Sequence, residues 1–350
     1  MIKNIKLSNF RLFDKLNLNI DNPYVIFSGR NAIGKTSILE SIFITSTTKS
    51  NRTNDILDVV KFNSLFSSIE IEDELNDYKV VISKEGKYFY KNGDEIKRFS
   101  DYIGTLNCLF IGPADIEIVD GQAASRRKFL DLNISMFDKK YFNELLRYKK
   151  ILNERNKVLK DNNPDLIMVN VLTTELIKSL EYIAKLRIGL INDLNFYLKN
   201  ISSLMDIEKI SLEYEPTYNL NNIKSSFDTR LNSDLFYKAT QIGTHRDTFK
   251  ILFNGIDAKS YASHGQLRII YIAIKLALKE IIAKKKGEPI LLLDDIFQAL
   301  DNKKIMAITR YVKSAKQVFI TTTSVLGIPD DILKESIVIR LEGEMEQNGK

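Results

Sequence analysis

The sequence contains few of the residues that form zinc sites and disulfide bonds. Among its 350 residues are one cysteine, Cys108, and two histidines. A single cysteine excludes a disulfide within the chain, and so few cysteine and histidine ligands argue against a zinc site. Because Cys108 lies in the apolar segment TLNCLFIG, we expect it to be a buried thiol.

Long apolar runs are also absent. No stretch approaches the roughly 18 to 20 uninterrupted apolar residues of a membrane-spanning helix, and lysines interrupt the N-terminal MIKNIKLSNF where a signal peptide needs an apolar core. No internal repeat or low-complexity tract is visible. With 44% hydrophobic and 27% charged residues, the chain has the composition of an ordinary globular protein. We therefore expect a cytoplasmic protein with no membrane partner.

Positive charge is in modest excess. Lysine and arginine number 51 against 45 acidic residues, which gives a net charge of +6, and the excess falls after residue 125. This distribution is compatible with a polyanionic partner and equally with a mildly basic solvated surface. No zinc finger, helix-turn-helix or aromatic RNA-binding motif is present, so any contact with nucleic acid should be to the backbone and strongly salt-dependent.

The hydrophobic period changes twice along the chain. Residues 1–120 alternate short β-rich runs with turn signals, including an Asn92-Gly93 pair suited to a tight hairpin. Apolar residues then recur every three or four positions from Leu172 to Tyr197, which predicts one long amphipathic helix, and residues 139–160 predict another before it. After residue 231 the sheet pattern returns. A helical insert therefore interrupts an α/β domain.

The segment GRNAIGKTS contains the phosphate-binding pattern G-x-x-x-x-G-K-[ST]. It follows the apolar strand YVIFS and begins a helical pattern, which is the order that a phosphate loop requires. Lys35 should reach the β- and γ-phosphates of ATP, and Thr36 should offer its hydroxyl to Mg²⁺, while backbone N–H groups surround the phosphates. The predicted nucleotide-binding residues are Gly29, Arg30, Asn31, Ala32, Ile33, Gly34, Lys35 and Thr36.

Two further motifs indicate the class of ATPase. The apolar strand ILLLDD ends in Asp294, the expected Mg²⁺ carboxylate, and Asp295, which should orient or deprotonate the attacking water and acts with Lys35 in catalysis. The segment SHGQ precedes a long apolar helix and provides a second helix N-terminus suited to an anion. Its residues Ser263, Gly265 and Gln266 match the S-x-G-Q signature with which ABC-type ATPases cover the γ-phosphate held by an opposing protomer.

Together these motifs resemble the RecF family of recombinational repair ATPases, which are related to SMC heads. The similarity covers nearly the whole chain, through LSNFR, the phosphate loop, IGPADIEIVDGQAASRRKFLD, IGTHRD, the signature and LLLDDIFQALD. It implies that Arg11 packs near the adenine and that Asp301 and Thr322 communicate across a dimer. Ala32 stands where these loops usually have glycine, so the loop loses conformational freedom if that residue needs a positive φ.

The resemblance implies an α/β fold, an ABC/SMC-like P-loop ATPase head with a mixed sheet and flanking helices, interrupted by an all-helical arm. We assign residues 1–125 and 231–350 to the head and residues 126–230 to the arm. The phosphate loop falls in the first part of the head, and the signature and both aspartates fall in the second. SMC proteins insert hundreds of residues of coiled coil at this point, whereas about one hundred permit only a compact arm.

The resemblance also implies a function. The chain should form an ATP-dependent homodimer, bind duplex DNA near single-strand gaps or single/double-strand junctions, and help load RecA together with RecO and RecR mediators. Slow, DNA-stimulated ATP hydrolysis should release it. Candidate DNA contacts are Arg126, Arg127, Lys128, Lys149 and Lys150, whereas Lys284–Lys286 are better explained as cations at a helix C-terminus. We assign no chemistry to His245, Arg246 or Asp247 of the IGTHRD segment, where the chain departs from the usual family pattern.

Three alternatives remain open. An SMC-like ATPase with a nuclease role or partner is one, although no metal-binding carboxylate set beyond the ATP site is apparent in the sequence. An ABC transporter ATPase subunit is another, but such subunits usually have a histidine after the last core strand, where this chain has ITTT. The third is a homologue that does not hydrolyse ATP, against which the intact Lys35, Thr36, Asp294 and Asp295 argue.

Overall fold

The computed structural model describes residues 1–298 and 300–341. Its strands, in chain order, are β1 (Ile2–Phe10), β2 (Phe13–Asn19), β3 (Tyr24–Ser28), β4 (Phe66–Asp73), β5 (Asp77–Ser83), β6 (Gly86–Lys91), β7 (Asp94–Glu95), β8 (Cys108–Ile111), β9 (Ile210–Glu215), β10 (Thr248–Phe253), β11 (Ile256–Asp257), β12 (Ile290–Asp294), β13 (Gln317–Thr322) and β14 (Ser336–Arg340). Its helices are α1 (Lys35–Thr47), α2 (Phe99–Tyr102), α3 (Ala123–Phe137), α4 (Lys139–Leu159), α5 (Leu166–Leu204), α6 (Ile223–Tyr237), α7 (Ala258–Tyr261), α8 (His264–Lys286), α9 (Asn302–Lys313) and α10 (Asp330–Leu333). None of these helices is long and apolar enough to cross a membrane.

The chain divides into two compact units. The first comprises Met1–Asp115, Ser203–Ile207 and the chain from Lys275 onward; the second comprises Ile116–Ser202 and Glu208–Ile274. The division into a head and an arm stays a prediction, because these units are defined by contacts within the chain and not by function. The last part of the predicted head, residues 342–350, lies outside the described residues.

A five-stranded parallel sheet forms the centre of the first unit, in the order β14-β3-β13-β12-β8. Strands β12 and β13 are buried along their whole length, as expected for parallel strands covered on both faces. Because parallel strands end at the same edge, Ser28, Asp294 and Thr322 finish side by side there. Helix α1 follows β3, which confirms the predicted order of strand, loop and helix.

A six-stranded antiparallel sheet completes the first unit, in the order β2-β1-β4-β5-β6-β7. Asn92 and Gly93 join β6 to β7 with φ values of 53° and 87°. A two-residue turn with positive φ at both positions matches the twist of the flanking strands, and asparagine and glycine tolerate that conformation best. The predicted hairpin turn is confirmed.

The second unit combines long helices with a small antiparallel sheet. Helices α4 and α5 confirm the two predicted amphipathic helices, and the regularly spaced Leu176, Leu180, Ile183 and Leu194 are buried. Asp138 caps α4 by accepting a hydrogen bond from the backbone N–H of Tyr141.

Residues 126–230 differ in one respect from the all-helical expectation, because they also contain β9. This strand pairs antiparallel with β10, which leads through the turn at Asn254 and Gly255 into β11. The alternating segment ISLEYE buries Ile210 and Leu212 and exposes Glu213, the two-residue period of a strand with one covered face. The pairing partner lies more than thirty residues away in sequence, so the local pattern alone did not reveal the strand.

Candidate nucleotide-binding site

The phosphate loop connects β3 to α1 and needs glycine at its first and sixth positions. A Cβ atom at Gly29 would lie 2.6 Å from the carbonyl oxygen of Leu341, and one at Gly34 would lie 2.5 Å from Cζ of Phe13. Gly34 also has a φ of 102°, in the left-handed region that side chains avoid. Steric contact as well as backbone conformation therefore requires these glycines. Phe13, which the sequence analysis did not single out, packs against the loop.

Ala32 adopts a left-handed conformation within the loop, with a φ of 64°. The conformation brings the alanine Cβ close to the backbone and costs roughly 1 to 2 kcal/mol relative to the right-handed region. The Ala32 side chain is exposed, so no packing compensates for this strain. The position therefore needs a positive φ, the condition under which alanine was expected to be less suitable than glycine.

The side chain of Lys35 is held by hydrogen bonds to the backbone of the phosphate loop. Its ammonium group donates hydrogen bonds to the carbonyl oxygens of Gly29, at 2.8 Å, and Arg30, at 2.7 Å, and the residue is only 5% exposed. An ammonium has three N–H donors, so one is left for a ligand. This places a positive charge within the loop that is predicted to surround the phosphates.

Thr36 and Asp294 come together although 258 residues separate them. Oδ1 of Asp294 accepts a hydrogen bond from Oγ1 of Thr36 at 2.8 Å and another from Oγ1 of Thr321 at 2.6 Å. Asp294 is buried. Thr321 was missed by sequence reasoning, although its position at the end of β13, beside the end of β12, was a usable signal.

The oxygen donors of Thr36 and Asp294 fit Mg²⁺, a hard cation that prefers oxygen ligands. Within residues 1–298 and 300–341, no group of three or more histidine, cysteine, aspartate or glutamate side chains could hold a metal ion. A site with one carboxylate and one hydroxyl suits Mg²⁺ bound together with phosphate and water, since this ion usually takes only one or two carboxylates from the protein.

Asp295 makes different contacts from its neighbour. Its φ is 50°, and its backbone N–H donates to Oγ1 of Thr321 at 3.2 Å. Its Oδ1 accepts a hydrogen bond from Nε2 of Gln298 at 3.0 Å, and the same nitrogen donates to Oγ1 of Thr323 at 3.2 Å. These side chains line a cavity of about 110 Å³. The predicted catalytic carboxylate is thus oriented by Gln298, which sequence reasoning did not identify.

A buried ion pair lies next to the aspartate site. Nζ of Lys275 is 3.0 Å from Oδ1 of Asp115, in the segment that follows β8. Burial raises the pKa of Asp115 above its usual range, with a smaller contribution in the same direction from Asp294, whereas Lys275 lowers it. Lys275 therefore stabilises the charged form of Asp115, whose pKa is also affected by the charge of Asp294.

Thr322 and Asp301, the predicted communication residues, both have local structural roles. Oγ1 of Thr322 donates to the carbonyl oxygen of Ser324 at 2.7 Å and so closes a tight turn after β13. Asp301 caps α9 by accepting from the backbone N–H of Lys304, whose ammonium also pairs with it and holds the pKa of this carboxyl below its usual range. Their part in communication across a dimer stays a prediction.

Arg11 forms a bidentate ion pair with Glu40 of α1. Its Nε and NH2 groups lie 2.9 and 2.6 Å from the two carboxylate oxygens, and NH1 donates to the carbonyl oxygen of Asp58. Glu40 is fully buried and also contacts Arg52, whose NH1 lies 3.5 Å from Oγ of Ser37 in the phosphate-loop helix. The predicted contact of Arg11 with adenine stays a prediction. Arg52 is a cation beside the loop that the sequence analysis missed.

The signature residues begin α8 in the second unit. The backbone N–H of Ser263 donates to Oε1 of Gln266 at 2.8 Å, and the backbone N–H of Gln266 donates to Oγ of Ser263 at 3.3 Å. This reciprocal pairing is a capping box. Ser263 and Gly265 are exposed, and a Cβ at Gly265 would meet no atom within 4 Å. The start of the helix is therefore fixed in shape and open to solvent.

The predicted DNA contacts differ in how they are engaged. Arg126 donates to the carbonyl oxygens of Ile118 and Val119, at 3.2 and 2.8 Å, which ties it to its own unit. Arg127 donates to the carbonyl oxygen of Asp247 at 3.0 Å. The remaining three, Lys128, Lys149 and Lys150, are exposed on α3 and α4. The basic residues predicted to contact DNA therefore include two that are hydrogen-bonded to backbone carbonyls and three that are exposed.

Within the IGTHRD segment, Asp247 is buried, His245 is half-buried and Arg246 is exposed. Asp247 is fully buried and accepts hydrogen bonds from the hydroxyls of Tyr214 and Tyr218, at 2.6 and 2.8 Å, and from the backbone and side chain of Thr217. His245 contacts the Tyr148 hydroxyl at 2.8 Å, and burial lowers its pKa to about 4. His245 and Asp247 therefore stabilise the fold, whereas Arg246 between them is exposed.

Comparison with known proteins agrees with these features. The family model for the RecF/RecN/SMC N-terminal domain matches residues 1–326. A DNA replication and repair protein RecF from Acholeplasma laidlawii is 36% identical over 347 residues, covering 98% of this chain and 99% of the relative. One from Clostridium novyi is 37% identical over 340 residues, covering 93% and 94%.

Solved structures give the same result. One of the recombination mediator protein RecF-ATP in the RecFOR pathway aligns with a TM-score of 0.85 at 31% identity, over 94% of this chain and 93% of that one. A Smc head domain from Pyrococcus furiosus, bound to the C-terminal domain of ScpA, aligns with a TM-score of 0.53 at 15% identity over 98% and 94%, a likeness that shows the fold alone. The predicted α/β ATPase-head fold is confirmed, and the chain belongs to the RecF family of DNA replication and repair proteins, within the RecF/RecN/SMC group.

Proposed function

We propose that the chain binds ATP at the phosphate loop and hydrolyses it slowly. The contact between Thr36 and Asp294 carries this proposal, because the loop hydroxyl and the strand-end carboxylate, the two oxygen donors expected to hold Mg²⁺, lie 2.8 Å apart. Thr36 and Asp294 would hold Mg²⁺, and the bound ion would neutralise negative charge on the phosphates. Lys35 contacts the same phosphates through its remaining N–H, and Asp295, held by Gln298, aligns the water that attacks the γ-phosphorus.

ATP binding brings two copies of the chain together. The exposed, capped start of α8 offers Ser263 and Gly265 to the γ-phosphate in the phosphate loop of a second copy. Each chain contributes one loop and one signature, so a two-fold dimer closes with two ATP molecules and no unused half-site. Hydrolysis separates the γ-phosphate from ADP and so removes the group that both copies contact.

The dimer acts on DNA. A similar protein is described as the recombination mediator protein RecF-ATP in the RecFOR pathway, and curated relatives are named DNA replication and repair proteins. We assign this chain the same role: it binds duplex DNA near single-strand gaps while ATP is present, and with RecO and RecR mediators it helps load RecA. DNA stimulates the slow hydrolysis that ends the bound state.

Sedimentation with and without ATP tests the paired site. We expect ATP and Mg²⁺ to convert the wild-type protein to a dimer that retains gapped duplex DNA, and Lys35→Ala and Ser263→Arg to remain monomeric. Ser225→Arg is the matched control, because it adds the same side chain to the exposed first turn of another helix, α6. A dimer that forms equally without ATP, or that tolerates Ser263→Arg as well as Ser225→Arg, would refute the shared site.

A further inference from the structure

Two arginine residues of the second unit lie near each other at the end of the IGTHRD segment. Arg127, on α3, donates from NH1 to the carbonyl oxygen of Asp247 at 3.0 Å. The residue before Asp247 is the exposed Arg246. The guanidinium of Arg127 is therefore close enough to Arg246 for the charge of Arg246 to act on it, although 119 positions separate the two in sequence.

The backbone that carries Arg246 is held from several sides. The carbonyl oxygen of Gly243 accepts from the backbone N–H of Arg246 at 2.8 Å, and the backbone N–H of Gly243 donates to Oγ1 of Thr217 at 2.9 Å. The buried Arg187 donates to the carbonyl oxygen of Thr244 at 2.7 Å. The hydrogen bonds of His245 and Asp247 fix the positions on either side. Arg246 thus projects from a rigid support, as binding residues do when their geometry matters.

The positive charge of the pair is not neutralised by an ion pair. In the part of the chain that the structure describes, neither Arg127 nor Arg246 forms a salt bridge. The carboxylates that act electrostatically on Arg127 are those of Asp131 and Asp247, and both have other partners. Asp131 pairs with Arg187 at 2.8 Å, and Asp247 accepts from tyrosine and threonine donors.

Like charges side by side repel each other unless an anion lies between them. Burial lowers the pKa of Arg127, and the nearby charges of Arg187 and Arg246 lower it further. The fold nevertheless keeps Arg127 and Arg246 together through contacts that do not depend on their charge. Guanidinium groups donate paired N–H bonds to phosphate, and two such groups can contact the oxygens of one phosphodiester.

We infer that Arg127 and Arg246 form a binding element for the phosphodiester backbone of nucleic acid. This inference rests on the DNA binding that we propose above, and it adds Arg246, a residue without a role among the motifs described earlier. The element contacts phosphate and not base edges, so it positions the protein on the duplex without reading sequence. Arg126, tied to two backbone carbonyls, is not part of it.

The salt dependence of DNA binding tests the element. Anisotropy of a labelled gapped duplex is measured with ATP present, between 50 and 200 mM salt, for wild type and Arg246→Ala. Each phosphate contact contributes about 0.9 to the slope of log affinity against log salt. We expect Arg246→Ala to reduce that slope by about 0.9 and the affinity at 0.1 M salt roughly five- to tenfold. Arg246→Lys, which keeps the charge, should retain the slope and lose less affinity.

Arg147→Ala is the matched control. It also removes one arginine from an exposed site of the second unit, but Arg147 already pairs with Glu175 at 2.5 Å. We expect the wild-type slope from this variant and a reduced slope from Arg127→Ala. If Arg246→Ala binds duplex DNA as tightly as Arg147→Ala does, the inference is overturned but the proposed function is not. The inference is also overturned if Arg246→Ala no longer dimerises with ATP but still binds duplex DNA, because the phosphate that Arg246 contacts would then belong to a nucleotide. A wild-type protein that binds no duplex overturns the proposed function as well.

Discussion

Replacing Ala32 by glycine should preserve or increase the stability of the protein, although glycine usually weakens a fold. Ala32 has a φ of 64° in the phosphate loop, and its side chain is exposed. Glycine removes the clash between Cβ and the backbone, which amounts to roughly 1 to 2 kcal/mol in the left-handed region. It also removes no buried contact, because the methyl group faces solvent.

The opposing effect acts on the unfolded chain. Glycine has more conformations available there than alanine, and this extra freedom costs about 0.4 to 1 kcal/mol on folding. The difference between the two effects is a gain of about 0 to 1.5 kcal/mol for Ala32→Gly. Ala124→Gly provides the contrast, because Ala124 is exposed in the first turn of helix α3 without a positive φ, so the same substitution relieves no strain and should cost about 0.4 to 1 kcal/mol.

Urea denaturation of the two variants and the wild type measures the difference. We expect the transition midpoint of Ala32→Gly to equal or exceed that of the wild type, and the midpoint of Ala124→Gly to fall below it. The slopes of the transitions should agree, so that the midpoints report stability. Equal destabilisation by both substitutions would show that Ala32 is not strained, and the reasoning from its φ would be wrong.

Three other predictions address the surroundings of the site. Arg11→Ala should lower the free energy of unfolding by roughly 2 to 3 kcal/mol, because it removes two hydrogen bonds from the buried carboxylate of Glu40. Chemical denaturation measures the change, and a loss below about 0.5 kcal/mol would contradict the prediction. Gln298→Ala should slow ATP hydrolysis several-fold and leave ATP affinity unchanged, because it releases the carboxylate of Asp295 without touching the phosphate loop. Single-turnover hydrolysis and equilibrium binding measure the two effects separately. Weaker ATP binding with a normal rate of hydrolysis would contradict this prediction. Burial lowers the pKa of His245 from 6.5 to about 4, so the unfolded state binds the proton more tightly than the folded state does. The protein therefore keeps its full stability above pH 6.5. The free energy of unfolding should fall by on the order of 2 to 3 kcal/mol as the pH drops towards 4. His245→Asn should reduce this loss between pH 7 and 4.5 in urea denaturation, and an unchanged pH dependence would count against the assignment.

Contiguous motifs and strand ends were predictable from the sequence. The phosphate loop could be identified from GRNAIGKTS, because every residue predicted to contact phosphate lies in this one short segment. The meeting of Thr36 and Asp294 was also expected, since buried parallel strands end at one edge of a sheet. The same rule applied to ITTT at the end of the next apolar strand would have found Thr321, whose hydroxyl holds Asp294.

Contacts between side chains far apart in sequence were not predictable. The pairing of Arg11 with Glu40 joins a turn after β1 to the phosphate-loop helix, and neither residue type nor spacing reveals it. Gln298 likewise resembles an ordinary polar residue in a loop until its contacts with Asp295 and Thr323 are seen. Such residues have no local period, so their partners depend on how separate elements pack.

The IGTHRD segment shows why residue type alone could not assign its roles. Histidine, arginine and aspartate in a row are all chemically capable, and a sequence gives no way to tell which of them faces solvent. The fold turns His245 and Asp247 inward, where Tyr148, Tyr214 and Tyr218 satisfy their polar atoms. His245 and Asp247, which could both act in catalysis by residue type, therefore stabilise the fold. Of the three residues, the exposed Arg246 is the one that a ligand can reach, which is why the salt dependence of DNA binding should respond to it.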